Sequence, residues 1–376
     1  MDDMDKVNLD TWFSQVELSA RGLIEPSAYL GPYDVRNVYR DEDPDVLDFA
    51  RRHACAELTD CGPQILQRDL KNVFLSDAGS FLGASVQWGR DVLFFSDIGK
   101  SVLSTEPAPI SKSSLEIREI DHAVSLFIAD PMSVSNLITE VLPRVWMAET
   151  YGNAEPTYVL AGSAPPFVRK FLGDLGIKQD RVIDADLNSE RVFAHKISYF
   201  SPLKMDQMIH PSFSLMADWV RTQLGVENRD NEDGRQPLYL LPQVDRHGEP
   251  ITLCANEEEV RSILVDHYDF KTVDFANKSV AQQISLIANA DMIWGELAPR
   301  MQLSLFMRKN GRVAVSRNRL EKSLFQSGLC RARGQTLINA FGDIVDQPPF
   351  NPRSKFSIPA PVVHRAAKAM IDGTEE

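Results

Sequence analysis

A chain of 376 residues is too long for one ordinary hydrophobic core and points to two domains of roughly 150 residues each, plus extensions. With 43% hydrophobic and 25% charged residues it has the composition of a soluble globular protein. A formal net charge of -13 excludes a general polyanion binder, because a nucleic-acid surface needs a basic excess that releases counterions, although a local basic pocket remains compatible with it.

The N-terminus, "MDDMDKVNLDTWF", is acidic and lacks an apolar core of signal-peptide length, and no run of about 18 apolar residues occurs anywhere. The expectation is a soluble, cytoplasmic chain with no transmembrane segment. Residues 1–68 read as an N-terminal extension with one helix in "DPDVLDFARRHACAEL", capped by Asp45 after the break at Pro44. From Leu70, "LKNVFLSDAGSFLGASVQWGRDVLFFSD" alternates apolar and polar residues between Gly and Asp turns, the pattern of a β-meander.

From His122 strands and helices alternate. "AVSLFIA" predicts a buried strand, "SVSNLITEVLPRVWMAETYG" an amphipathic helix and "TYVLAG" a strand. "PPFVRKFLGDLGI" predicts a helix with Pro near its start and Gly after its end, and "DRVIDAD" another strand. Leu224 to Gln236, "LGVENRDNEDGRQ", is polar and acidic and reads as an interdomain linker. A second series follows: "PLYLLPQ" strand, "NEEEVRSILVDHY" helix, "FKTVDF" strand, "VAQQISLIANA" helix, "DMIWGE" strand, then a tight turn, a helix and a further strand reaching Val313. The tail holds "QPPFNPRSKFSIPAP", too rich in proline for a helix, and a short closing helix, "VVHRAAKAMID". Repeated βα units predict an α/β fold of two Rossmann-like domains facing across a cleft: an N-terminal domain at 69–225 (meander, then α/β), a second at 226–345, and a terminal strand and helix at 346–376. In such folds ligands collect beyond the carboxyl ends of the strands.

Cys55, Cys61, Cys254 and Cys330 are scattered, and the spacing of the one close pair fits neither a zinc knuckle nor a disulfide scaffold, so they read as reduced thiols. Gly-x-Ser-x-Gly, Walker and Gly-x-Gly-x-x-Gly patterns do not occur. His195, His210 and His267 lack the partner spacing of a metal site or a triad and read as structural.

The order of four segments resembles the family 61 glycosyltransferases, the capsular-polysaccharide type. These are "SVSNLITEVLPRVWM", "FVRKFLGDLGIKQDRVI", "LYLLPQ" followed by "ITLCANEEEVRSIL", and "SVAQQISLIANADMIWGELAPRMQLSLFM". The resemblance runs from about Leu70 to the end. It implies a GT-B architecture with the glycan acceptor on the N-terminal half and a nucleotide-diphosphate sugar on the C-terminal half. It also implies inverting transfer without metal or cofactor, in surface or capsular polysaccharide synthesis. Several family positions are replaced. Pro242 and Thr252 stand where the family has arginine, Leu297 and Ala298 where it has histidine and glycine, Leu303 where it has asparagine, and Asn136 and Leu137 where it has histidine and tryptophan. A non-catalytic relative, kept as a binding or scaffold module beside a partner glycosyltransferase, is the alternative.

A metal-free site must offset the diphosphate charge with cations and helix N-termini. Arg300, expected at a helix start just after the turn Gly295 to Pro299, is the first candidate for that work. Arg246, in a flexible Asp-Arg-His-Gly turn, is the second, and Lys309 and Arg312 flank the next turn. Asn256 and Glu257 shape the donor side in the resemblance, Gly295 lies in the turn, and the Glu296 carboxylate would repel a diphosphate, which argues for a ribose hydroxyl contact, an altered ligand or no ligand. Asn136 is placed to orient an acceptor hydroxyl, and Glu140, one turn along the same helical face, to serve as its base.

Overall fold

A computed structural model describes residues 19–24, 35–38, 65–74, 116–128, 132–152, 154–186, 189–200, 203–205, 208–226, 237–244, 250–321 and 323–372. The N-terminal helix expected at Asp45, the meander beyond Phe74, the body of the acidic linker and Arg246 lie outside these residues, as do Cys55 and Cys61. The chain divides into two compact units, Met1–Pro26 with Pro63–Asp206, and Ser27–Gly62 with Gln207–Glu376.

Strands β1 (Ser19–Ile24), β2 (Val35–Val38) and β3 (Ile65–Phe74) come first, and β1 and β3 belong to the first unit. There they pair antiparallel, and β3 pairs antiparallel with β7 (Glu190–Phe200). The rest of the sheet is parallel: β7 beside β4 (Glu116–Ser125), then β5 (Thr157–Ala161), then β6 (Val182–Ala185). The sheet curls, since Arg118 on β4 donates to the Asp184 carbonyl on β6 at 3.0 Å and pairs with Glu190 at the head of β7.

Between β4 and β5 runs α1, built from Val134–Asn136, a π turn Leu137–Val141 and Leu142–Tyr151. The π turn has an identifiable cause. Pro143 lacks the N–H that would reach Thr139, and its ring would strike that carbonyl in an α-helix; widening the preceding turn relieves the clash. Helix α2 (Pro166–Asp174) starts on a proline and ends where Gly176, at φ +84°, lets the Ile177 N–H turn back to the Leu172 carbonyl. Trp146 on α1, Tyr158 on β5 and Phe171 on α2 are all buried in the core.

The second unit opens with α3 (Phe213–Gln223). Its sheet uses β8 (Leu238–Leu240), β9 (Lys271–Val273), β10 (Met292–Glu296), β11 (Arg312–Asn318), β12 (Thr336–Ile344) and β13 (Phe356–Ser357). The parallel order is β9-β8-β10-β11-β12, with β2 parallel on the far side of β12 and β13 antiparallel at its end. Counting the five central strands in chain order gives 2-1-3-4-5, a doubly wound arrangement whose direction reverses between β8 and β10. Helices α4 (Glu257–Tyr268) and α7 (Ala360–Asp372) pack together on one face. On the other, α3, α5 (Val280–Ile287) and α6 (Phe325–Arg333) gather around a 3₁₀ segment, Pro299–Phe306. Alternation along the strands sorts the side chains: Trp294, Ala314, Ile338 and Ala340 share the core under α4 and α7.

The α/β series therefore follows the sequence reading, while the division of the chain differs from it. The expected boundary lay at 225; the observed one lies at Asp206/Gln207, because α3 buries Phe213, Met216 and Val220 in the second unit and Arg221 donates there to the carbonyls of Ala288 and Phe306. The tail at 346–376 is part of that unit too, since Val362, Val363 and Met370 lie in its core. Among the described residues no helix is long and apolar enough to cross a membrane.

Candidate functional site

The reversal point of the second sheet gathers most of the candidate residues. Arg300, on the 3₁₀ segment after β10, reaches across it: Nη1 donates to the Leu241 carbonyl beyond β8 at 3.3 Å, and the guanidinium lies 5.6 Å from the ring centre of Phe275, beyond β9. Burial pulls its pKa below the ordinary arginine value, with Asp274 acting in the opposite direction. A half-buried cation is thus fixed at the carboxyl edge where a doubly wound sheet opens a crevice. The segment carrying it is 3₁₀ and not the α-helix expected, and the Met301 N–H is already given to the Ala298 carbonyl. Its burial explains this: Met301, Leu303, Leu305 and Phe306 all turn inward, more apolar contact than one face of a short α-helix provides.

Gly295 has a packing reason. A Cβ there would meet Met301 Sδ at 2.7 Å and Leu240 Cβ at 3.4 Å, so the absence of a side chain lets the 3₁₀ segment fold back onto β8 and β10. Glu296, the last residue of β10, is engaged by the neighbouring loop: its carboxylate accepts from the Thr252 hydroxyl and from the Leu253 N–H at 2.9 Å. It acts as an internal clasp between the end of β10 and the loop before α4.

Asn256 and Glu257 are likewise committed. The Asn256 amide exchanges two 2.9 Å hydrogen bonds with the Ile358 backbone, accepting at Oδ1 and donating from Nδ2, and so pins the tail beside α4. Glu257 accepts from the Tyr239 hydroxyl at 3.0 Å. Burial first, then the Glu257 charge, raises the Tyr239 pKa well above its usual value. Lys309 and Arg312 turn to the opposite edge of the sheet, where Lys309 pairs with Asp218 and Arg312 donates to the carbonyls of Met370 and Ile371 at the end of α7.

In the first unit Asn136 and Glu140 lie in the opening turns of α1, just beyond the carboxyl end of β4. The Asn136 N–H is given to the Ser133 cap at 3.2 Å. Around Glu140 nearly every α1 side chain from Leu137 to Ala148 is buried, and the Lys204 ammonium, from the segment after β7, stands 3.5 Å from its carboxylate. Lys204 was not legible as a partner, because it is 64 residues away and follows a strand that lacks a clear pattern. Arg144 closes the same end of β4, donating to the carbonyls of Ser125 at 3.2 Å and Phe127 at 2.8 Å. His195 stands 3.5 Å from Glu119, His210 accepts from the Ser212 N–H, and the His267 ring lies 5.6 Å from that of His364, tilted by 46°.

The two described cysteines are free and buried. Burial pushes each thiol up to about 12, with the Glu296 charge adding to the shift at Cys254. A thiol raised in the folded state contributes stability that is intact below its ordinary value of 9.0 and is lost as the pH climbs from there to about 12. The expected result is that peptide-resolved alkylation at pH 8 leaves Cys254 and Cys330 unmodified until the chain is unfolded. Rapid native labelling of either would show that its surroundings open.

No family model matches the chain, and no curated protein sequence matches it.

Proposed function

We propose that the chain is a glycosyltransferase of the family 61 kind with a GT-B architecture. In this reading the second unit holds a nucleotide-diphosphate sugar at the β8/β10 reversal point, and the first unit presents Asn136 and Glu140 to a glycan acceptor. The observation that carries it is Arg300, a half-buried cation anchored by the Leu241 carbonyl and the face of Phe275 at that crevice. Loss of the nucleoside diphosphate leaves negative charge on its terminal phosphate, and Arg300 offsets it in place of the family's histidine and arginines. Glu140 takes the proton of the acceptor hydroxyl as that oxygen attacks the anomeric carbon from the side opposite the diphosphate, which inverts the centre and requires no metal.

A second reading has specific support. Asn256 is spent on Ile358, Glu296 places a carboxylate beside the crevice, and Lys204 occupies Glu140. These favour a module that binds a nucleotide sugar without transferring it, as a scaffold for a partner transferase.

Calorimetric titration of the full chain with UDP, GDP and CMP and their sugars tests the shared step. Saturable binding of one nucleotide is expected, weakened roughly 10- to 100-fold in Arg300→Ala, the range for a charged hydrogen bond. No binding of any nucleotide, or equal binding by the variant, removes the proposal. Transfer to an acceptor then separates the two readings: activity that Glu140→Gln abolishes marks the enzyme, whereas binding without turnover marks the scaffold.

A further inference from the structure

We infer that the second unit carries an oxyanion site at the amino edge of its parallel sheet, opposite the edge that bears Arg300, and that its ligand is a small phosphate-bearing molecule. A cavity of about 360 Å³ opens there. Its wall includes Arg221 and Thr222 from the last turn of α3, Arg308 and Lys309 from the turn before β11, and Arg333 from the end of α6, with Asp218 as the one carboxylate among the described lining residues. Among the described residues four cations thus gather beside two acids, Asp218 and Asp291, a local excess of positive charge on a chain of net charge -13.

Two of the cations are immobile. Arg333, with a side chain 2% exposed, donates through Nε and Nη2 to the Met307 carbonyl at 3.1 and 3.0 Å, and through Nη1 to the Ser214 carbonyl and to Asp218 at 3.2 and 2.6 Å. Arg221 is held by the carbonyls of Ala288 and Phe306. Capping of carbonyls accounts for both. It does not account for placing Arg308 and Lys309, each beside one carboxylate, on the same cavity as the two buried guanidiniums, where like charges repel unless a further anion joins them. Arg308 leans to Asp291 at 3.4 Å, and its buried Nε has no hydrogen-bond partner among the described residues. Lys309, 55% exposed, is drawn to Asp218 at 2.8 Å. Burial first, then the charge of Arg333, lowers the Arg221 pKa to about 10, with Asp218 acting in the opposite direction. Burial acts to raise Asp218, yet Lys309 and Arg333 hold its carboxyl below the ordinary range. Asp218 therefore occupies the place a ligand oxyanion would contest.

The test uses the full chain and inorganic phosphate, compared with sodium chloride at matched ionic strength, by thermal shift and calorimetry. Phosphate is expected to raise the unfolding midpoint saturably. Lys309→Met should weaken its binding about tenfold or more, as expected for one charged hydrogen bond. Asp218→Asn should tighten it by removing the competing carboxylate, a gain that misfolding cannot imitate. Arg300→Ala should leave the response intact, which separates this site from the nucleotide crevice. A phosphate effect no larger than that of chloride, an Asp218→Asn variant that binds no better, or loss of the response in Arg300→Ala overturns the inference.

Discussion

Replacing Trp294 by alanine is expected to destabilise the second unit by about 3–5 kcal/mol, the usual cost of removing a fully buried aromatic side chain. The indole lies at the centre of the sheet, under α4 and α7, with 0% exposure, and meets Phe270 edge-on at 6.5 Å. Its Nε1–H donates to the Ser316 hydroxyl at 2.9 Å, so truncation opens a cavity and removes the partner of a buried hydroxyl. Trp294→Phe retains most of the ring volume and should cost less. Urea denaturation of the two variants measures the difference, and a loss below about 1 kcal/mol for alanine would contradict the packing described. Because Trp294 is followed directly by Gly295 and Glu296, the nucleotide binding proposed above should fall with stability in this variant. Arg300→Ala should instead lower binding with a much smaller change in the unfolding midpoint.

Arg333→Met should cost a comparable amount, roughly 2–6 kcal/mol, for a different reason. Methionine fills the volume of the stem but donates nothing, so the Met307 and Ser214 carbonyls lose their guanidinium donors. The ion pair with Asp218 is the smaller part of the loss, because Asp218 is 41% exposed and solvent screens it. Asp218→Asn should therefore cost under about 1 kcal/mol, and Arg333→Lys should stay close to Arg333→Met because one ammonium cannot span the same acceptors. Equal destabilisation by Asp218→Asn and Arg333→Met would place the energy in the ion pair and refute this account.

The sequence was legible where a segment's pattern and its burial coincide. The strands and helices from "TYVLAG" to "DRVIDAD", and from "PLYLLPQ" to "DMIWGE", are continuous apolar runs or amphipathic stretches with clear ends, and the structure has them. Strand β12, "TLINAFGDI", went unread because Asn339 and Gly342 interrupt its apolar run. Each has a tertiary reason: Asn339 accepts from buried Arg317 at 3.2 Å, and a Cβ on Gly342 would meet Phe356 at 2.5 Å where β13 crosses. Helix α6, "FQSGLCRAR", is equally faint, since its inward side uses Gln326, Ser327 and Arg333 in place of apolar residues. Of the site, the location of Arg300 followed from its place after β10. The duties of Asn256, Glu257 and Glu296 did not, because their partners Ile358, Tyr239 and Leu253 are distant in the chain and only folding brings them near.

The excursion of Ser27–Gly62 into the second unit, between two stretches that belong to the first, bears on how the molecule is made. Val35–Val38 leaves the ribosome long before the neighbour it lies beside, Leu337–Ala340. Until that neighbour is made, this short strand lacks the partner it has in the folded chain, and the outer rim of β12 cannot be covered by it. A fragment beginning at Gln207 would lack that strip and display a bare row of backbone donors and acceptors, the kind of rim along which copies stick to one another. The two halves cannot be separated by a single scission, and a peptide carrying Val35–Val38, supplied in trans, is the natural cap for the C-terminal piece.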